Sequence, residues 1–209
     1  MKLYSTVLKQ AQAEQIIEKS RFIAYVSPAS TKEEADAFIA SIRKKHKDAT
    51  HNVPAMVLGE KFQVQWASDD GEPQGTSGAP MVQLLVSEGI TDVVIVVTRY
   101  FGGIKLGTGG LVRAYTSSAK LGLEAAGVCD VEEMCLLTYE IDYTYLAKLQ
   151  NLAAGGLFSI SDTAYTDVVQ VTLCMPPEKQ EEVMSAVTNL TGGKGMLKNQ
   201  RLELVKNKT

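Results

Sequence analysis

With 209 residues, 45% of them hydrophobic and 22% charged, and a formal net charge of −3, the chain has the make-up of an ordinary folded protein of one large or two small domains. That excludes disorder, collagen-like repetition and a disulfide-stapled miniprotein, and no global basic excess announces a nucleic acid. Cys129, Cys135 and Cys174 form no C-x-x-C pair and have only two histidines for company, so no metal site, no cofactor and no disulfide framework is expected.

The opening residues, Met1 to Lys9, hold no apolar stretch of signal-peptide length. The longest apolar run, Val93–Val97, falls far short of the ~20 residues that span a bilayer. The expectation is a cytoplasmic protein with no membrane contact.

In chain order, Ile16–Lys19 and Arg21–Val26 read as paired strands. Ser30-x-x-Glu33 reads as a capping box ahead of the apolar stripe Ala35, Phe38, Ile39 and Ile42. Val53–Leu58 and Phe62–Ala67 form a hairpin around Gly59-Glu60-Lys61. A helix runs from about Pro80 to Glu88. Val93–Val97 is apolar on both faces, which predicts a central strand covered on both sides. From about Gly110 to Ala126 a third helix is apolar over most of its circumference, so it should be largely buried.

Beyond residue 134 the pattern becomes regular. Cys135, Leu137, Tyr139 and Ile141 alternate with more polar neighbours as a half-buried strand does. Thr144 can cap a helix bearing Leu146, Leu149 and Ala153, stopped by Gly155-Gly156. Leu157–Tyr165 and Val168–Cys174 read as strands joined by a turn near Thr166-Asp167. Pro176-Pro177 opens a helix with Val183, Ala186, Val187 and Leu190 on one face, and Met196–Val205 is the last strand. The order βαββαβ is a ferredoxin-like split βαβ unit. The fold class is therefore α+β, with one domain over residues 1–130 and a ferredoxin-like domain over 131–209. The first carries equal numbers of basic and acidic side chains, so attraction to RNA would need a local cluster.

Two segments concentrate glycine and charge where a plain core would not. Ser68–Pro80 holds Asp69, Asp70 and Glu72, followed by three glycines and two prolines counted from Gly71 and Pro73 onward. It reads either as a site for a cation or basic partner, or as a turn whose carboxylates cap backbone amides. His51 precedes the strand Val53–Leu58 and can face that loop, forming a polar cluster of His51, Asp69, Asp70 and Glu72. A His–Asp pair is raw material for a general base, yet no G-x-S-x-G elbow supplies a nucleophile, so no catalytic residue is assigned.

The second segment, Arg99–Arg113, leaves the central strand, passes Gly102, Gly103, Gly107, Gly109 and Gly110, and enters a helix. Such a loop presents backbone N–H groups to an anion at a helix N-terminus, and Arg99, Lys105 and Arg113 can add charge-assisted contacts to a ligand or RNA phosphate. Alternatively the glycines serve close approach and positive φ. Neither standard nucleotide motif is present. A P-loop counted from Gly102 has Thr108 where lysine is required, and a dinucleotide fingerprint from Gly107 has Val112 at its third glycine.

Taken together, these segments resemble the IMPACT family. Gly89–Gly107 (GITDVVIVVTRYFGGIKLG) looks like its signature, Asp70–Pro80 (DGEPQGTSGAP) like a second block, and Lys19–Ile23 (KSRFI) like its opening strand. The resemblance covers about residues 15–127, and the βαββαβ half is similar to the companion domain of bacterial members. One departure is that the family commonly has His-Asn-Cys-Tyr-Ala where this chain has His51-Asn52-Val53-Pro54-Ala55, which excludes a cysteine role at position 53.

The resemblance implies an N-terminal domain like the second domain of ribosomal protein S5 and a C-terminal one like the last domain of elongation factor G. It also implies a translation-linked role. Eukaryotic members restrain the starvation-activated initiation-factor kinase by competing for its ribosome-bound activator, and carry an RWD domain that this sequence does not show. Three readings follow: a non-enzymatic regulator of translation binding RNA or the ribosome; a hydrolase of a phosphorylated or peptide substrate using His51 and the acidic loop; and a protein-only regulator docking a translation-regulatory protein on its ferredoxin-like sheet. The oligomeric state is left open.

Overall fold

The computed structural model describes residues 2–208; Met1 and Thr209, the outer bounds of the two expected domains, lie outside the described residues. The chain falls into two compact units, one built on Leu3–Val131 and the other on Glu132–Val205.

In the N-terminal unit β1 (Lys2–Val7) is a short strand that the sequence pattern did not reveal. It is tied by Ser5 N donating to the Gly89 carbonyl and Thr91 N to the Ser5 carbonyl. β2 (Ala11–Ile17) and β3 (Ser20–Pro28) make the first hairpin. Its two-residue turn, Glu18-Lys19, has φ of 45° and 64°, the left-handed pair that a two-residue hairpin requires even without glycine. β4 (His51–Leu58) and β5 (Val64–Ala67) make the second hairpin, and β6 (Val93–Tyr100) lies between β3 and β4. The sheet order is β2-β3-β6-β4-β5, antiparallel throughout. Trp66, the only tryptophan, sits on the edge strand β5 and is 41% exposed.

Helices cover both faces of this sheet, as the two-sided apolarity of the central strand requires. α1 (Lys32–Lys45) places Ala35, Ile39 and Ile42 against Val94 and Val96 of β6 and Ile23 of β3. On the opposite face, α2 (Gly78–Ser87) and α3 (Gly107–Ala126) cover Val93, Ile95 and Val97 with Met81, Leu85, Tyr115 and Leu123. The capping box of α1 is one residue later than expected. The side chain of Thr31 accepts from Glu34 N, and Glu34 Oε2 accepts from Ser30 N and Thr31 N. Two overlapping T/S-x-x-E registers stand side by side here, and the second fits the helix start at Lys32. α3 begins at Gly107 rather than Gly110, so three of the glycines form its first turn.

The C-terminal unit contains β7 (Val128–Ile141) from Glu132 onward, α4 (Tyr143–Ala154), β8 (Ser159–Tyr165), β9 (Val169–Met175), α5 (Gln180–Thr191) and β10 (Met196–Lys208) as far as Val205. β7, β9 and β8 are antiparallel neighbours in that order and β10 pairs β7, which is the ferredoxin-like arrangement. The apolar residues of α4 and α5, among them Leu149, Val183 and Val187, pack with Leu137, Val171 and Leu173 of the sheet. α4 is capped by Asp142, whose Oδ1 accepts from Thr144 N at 2.9 Å, rather than by Thr144. Pro177–Lys179 forms a 3-10 turn before α5, and Gly192 ends that helix in the left-handed region.

Candidate functional site

β4 and β6 pair so that His51 stands opposite Arg99, while Phe22 of β3 is register partner to Arg99 on the other side. One end of the sheet thus carries a histidine and an arginine side by side. The acidic loop between β5 and α2 folds back over this end, turning at Asp70 (φ 47°) and Gly71 (φ 88°) to bury Glu72. Glu72 Oε1 accepts from Arg99 Nη1 and from the Tyr115 hydroxyl, both at 2.7 Å. Glu72 Oε2 lies 3.6 Å from His51 Nε2. Two strands and α3 therefore converge on the one carboxylate that the loop supplies.

Arg99 is 5% exposed. Its Nη2 donates to Ser20 Oγ at 3.2 Å, and its guanidinium carbon lies 5.4 Å from the Phe22 ring centre and 5.3 Å from that of Phe101. Its Nε is the one buried side-chain polar atom without a hydrogen-bond partner among the described residues. The carboxylate that holds Arg99 is Glu72, not Asp69 or Asp70.

The three loop acids have separate tasks. Asp69 Oδ1 accepts from Ser77 Oγ at 2.7 Å and Gly78 N at 2.9 Å, and Oδ2 from Gly75 N at 2.8 Å. It caps α2 from across the loop, because Ser77 at the N-cap position makes no side-chain cap of its own. Burial pushes the Asp69 carboxyl up, but these donations outweigh it and hold the group below its ordinary value. Asp70 Oδ2 accepts from Asn52 N at 2.6 Å and Oδ1 lies 3.6 Å from Arg43. His51 Nδ1 sits 2.8 Å from the Asp70 carbonyl oxygen, which can only accept, so Nδ1 carries a proton and Nε2 turns toward Glu72. Among the described residues, no three His, Cys, Asp or Glu side chains are grouped to hold a metal ion.

The glycine-rich loop follows β6. Gly102 lies against the Glu18-Lys19 turn so closely that a Cβ there would stand 1.9 Å from the Lys19 carbonyl oxygen. Gly107, at φ 71°, turns the chain into α3, and Leu106 at the N-cap position supplies no side-chain acceptor. Gly103, Gly109 and Gly110 continue this open, lightly covered backbone. Lys105 and Arg113 are exposed, and among the described residues neither is in an ion pair.

Two concavities flank the loop. One, of about 420 Å³, is lined by His51, Glu72, Arg99, Lys105 and the Gly107-Thr108 end of α3. The other, of about 430 Å³, is lined by Glu18, Lys105, Gly110 and Arg113. Lys105 borders both, Arg99 only the first and Arg113 only the second, so the three cations do not share one pocket. Sequence reasoning missed Tyr115 and Ser20. Tyr115 falls in the apolar stripe of α3 and reads there as core, and nothing local distinguishes its hydroxyl as a partner for Glu72.

The Impact N-terminal domain profile matches residues 18–123, and that of a domain of unknown function (DUF1949) matches residues 140–194. The IMPACT family member YvyE of Bacillus subtilis is 42% identical over 199 residues, spanning 95% of this chain and 92% of that protein. The family member YigZ of Escherichia coli is 34% identical over 85% of this chain and 88% of its own length. A crystal structure of a hypothetical protein aligns with a TM-score of 0.59 at 32% identity, covering 93% of this chain and 95% of that one. The motifs around Arg99 and Glu72, the antiparallel sheet that brings them together and these alignments agree, and the chain belongs to the IMPACT family.

Proposed function

We propose that this protein is a non-enzymatic regulator linked to translation, which holds RNA phosphate, free or on the ribosome, at the glycine-rich loop. The observation that carries the reading is the pair Lys105 and Arg113, exposed and, among the described residues, outside any ion pair, which line one concavity beside a helix N-terminus that no side chain caps. Backbone N–H groups, the helix dipole and two free cations are complementary to a phosphate.

Turnover finds less support. His51 Nε2 faces a carboxylate rather than a hydroxyl or thiol. The three cysteines are buried, and burial pushes each thiol up, away from the thiolate that a nucleophile needs. The test is ribosome co-sedimentation across a salt series. Lys105→Ala and Arg113→Ala should each weaken binding and lower the salt slope by about one unit, the signature of one lost phosphate contact. Wild-type binding by both variants would refute the reading. It would favour protein docking through the C-terminal sheet instead, where Met196, Leu202 and Leu204 are exposed.

A further inference from the structure

The 420 Å³ cavity shares Lys105 with the concavity beside Arg113 but opens on the Arg99–Glu72 side of the loop. Its volume suits a small molecule, as does that of the neighbouring concavity, and what sets it apart is a wall that joins the buried Arg99–Glu72 pair to the apolar Phe101, Leu106 and Leu111. Arg99 and Lys105 bring two positive charges against the single negative charge of Glu72, before the partial positive charge of the α3 N-terminus is added. Arg99 is nine-tenths buried in the cavity wall, and only Nη1 and Nη2 of its guanidinium are engaged, leaving Nε without a partner. A guanidinium offers five donors in all, so this one is under-used for its degree of burial. Phe101, Leu106 and Leu111 supply an apolar part of the wall, beside the polar Thr50, His51 and Thr108.

We propose that this cavity is a binding site for a small phosphate monoester, with the phosphate at the uncapped start of α3 between Lys105 and Arg99 and the ester's body against Phe101, Leu106 and Leu111. A monoester is preferred over an internal phosphodiester for two reasons. It carries about −1.5 to −2 charge near neutral pH, which answers the net positive wall. It also needs only one covalent exit, which suits a pocket closed on one side by the acidic loop.

AMP is the probe, with adenosine and inorganic phosphate as comparison ligands, measured by titration calorimetry on the full chain. AMP should bind saturably with one site per chain and adenosine should not bind. Inorganic phosphate should bind more weakly than AMP. Thr108→Asp is the deciding variant, because a carboxylate in the first turn stabilises a helix yet repels phosphate. It should keep or raise the thermal midpoint while weakening AMP binding about tenfold or more. Arg113→Ala lies outside the cavity and should bind AMP as wild type does, even where it has lost RNA affinity, so this proposal and the RNA reading fail separately. Absence of AMP binding, equal binding of adenosine, or wild-type affinity in Thr108→Asp would each overturn the assignment.

Discussion

Glu72→Ala tests the centre of the site most directly. The substitution removes the carboxylate that accepts from Arg99 Nη1 and Tyr115 OH, each at 2.7 Å. It leaves a guanidinium 5% exposed with no counter-charge. Breaking a buried pair from one side costs about 3–5 kcal/mol, and the stranded tyrosine hydroxyl about 1–3 more if nothing reorganises. Because the two penalties share a site they overlap, and about 4 kcal/mol is the expected loss. That is a large part of the ~5–15 kcal/mol that holds a domain together. Urea unfolding followed by circular dichroism should show a lower midpoint with an unchanged slope. Adding Arg99→Met to Glu72→Ala removes the stranded charge and should return stability to within about 2 kcal/mol of wild type. A loss below about 1 kcal/mol in Glu72→Ala, or a double variant no better than the single, would show that Arg99 is solvated and the network unimportant.

Asp69→Asn should cost about 1–2 kcal/mol, the worth of a helix cap, read as a drop in thermal midpoint. Because the folded-state pKa of Asp69 is depressed, its contribution is present above the ordinary carboxyl value and lost as pH falls through the folded one. The acid limb of the stability curve should therefore be shallower in the variant. Tyr115 is shifted the other way, pushed up by burial and then by its bond to Glu72, so its contribution is complete below about pH 10 and fades above it. Tyr115→Phe should lose about 1 kcal/mol at neutral pH and flatten that alkaline decline, measured by denaturant unfolding from neutral to alkaline pH. Gly102→Ala drives a Cβ into the Lys19 carbonyl and should cost about 2 kcal/mol in denaturant unfolding, whereas a substitution of exposed Lys105 should leave the unfolding free energy within about 0.5 kcal/mol of wild type.

Much of the frame could be read in the residues. Val93–Val97 announces a strand covered on both faces, because nothing polar interrupts it, and the alternation from Cys135 to Ile141 announces a strand with one buried side. What failed was local competition between signals. Glycine's poor helix propensity hid the first turn of α3, which is largely exposed and precedes the core-packed part of the helix that starts at Leu111. Lys2–Val7 is too short and mixed in character for periodicity to mark it. In the site, His51 facing the acidic loop was legible from order along the chain. The choice of Glu72 over its two neighbours was not. It depends on the positive-φ turn at Asp70-Gly71, which rotates one carboxylate inward while Asp69 turns to the start of α2. Tyr115 was unreadable for a similar reason, since its ring obeys the apolar pattern and only its hydroxyl departs from it.

The single indole on β5 has a practical consequence. Tryptophan emission can report on the N-terminal unit only, because the other unit contains no such chromophore. Far-ultraviolet ellipticity, in contrast, sums the helices of both. Recording the two signals on one denaturant titration therefore separates the halves without cutting the chain. Coincident curves would mean a single cooperative transition, and an emission midpoint displaced from the ellipticity midpoint would give each unit its own stability.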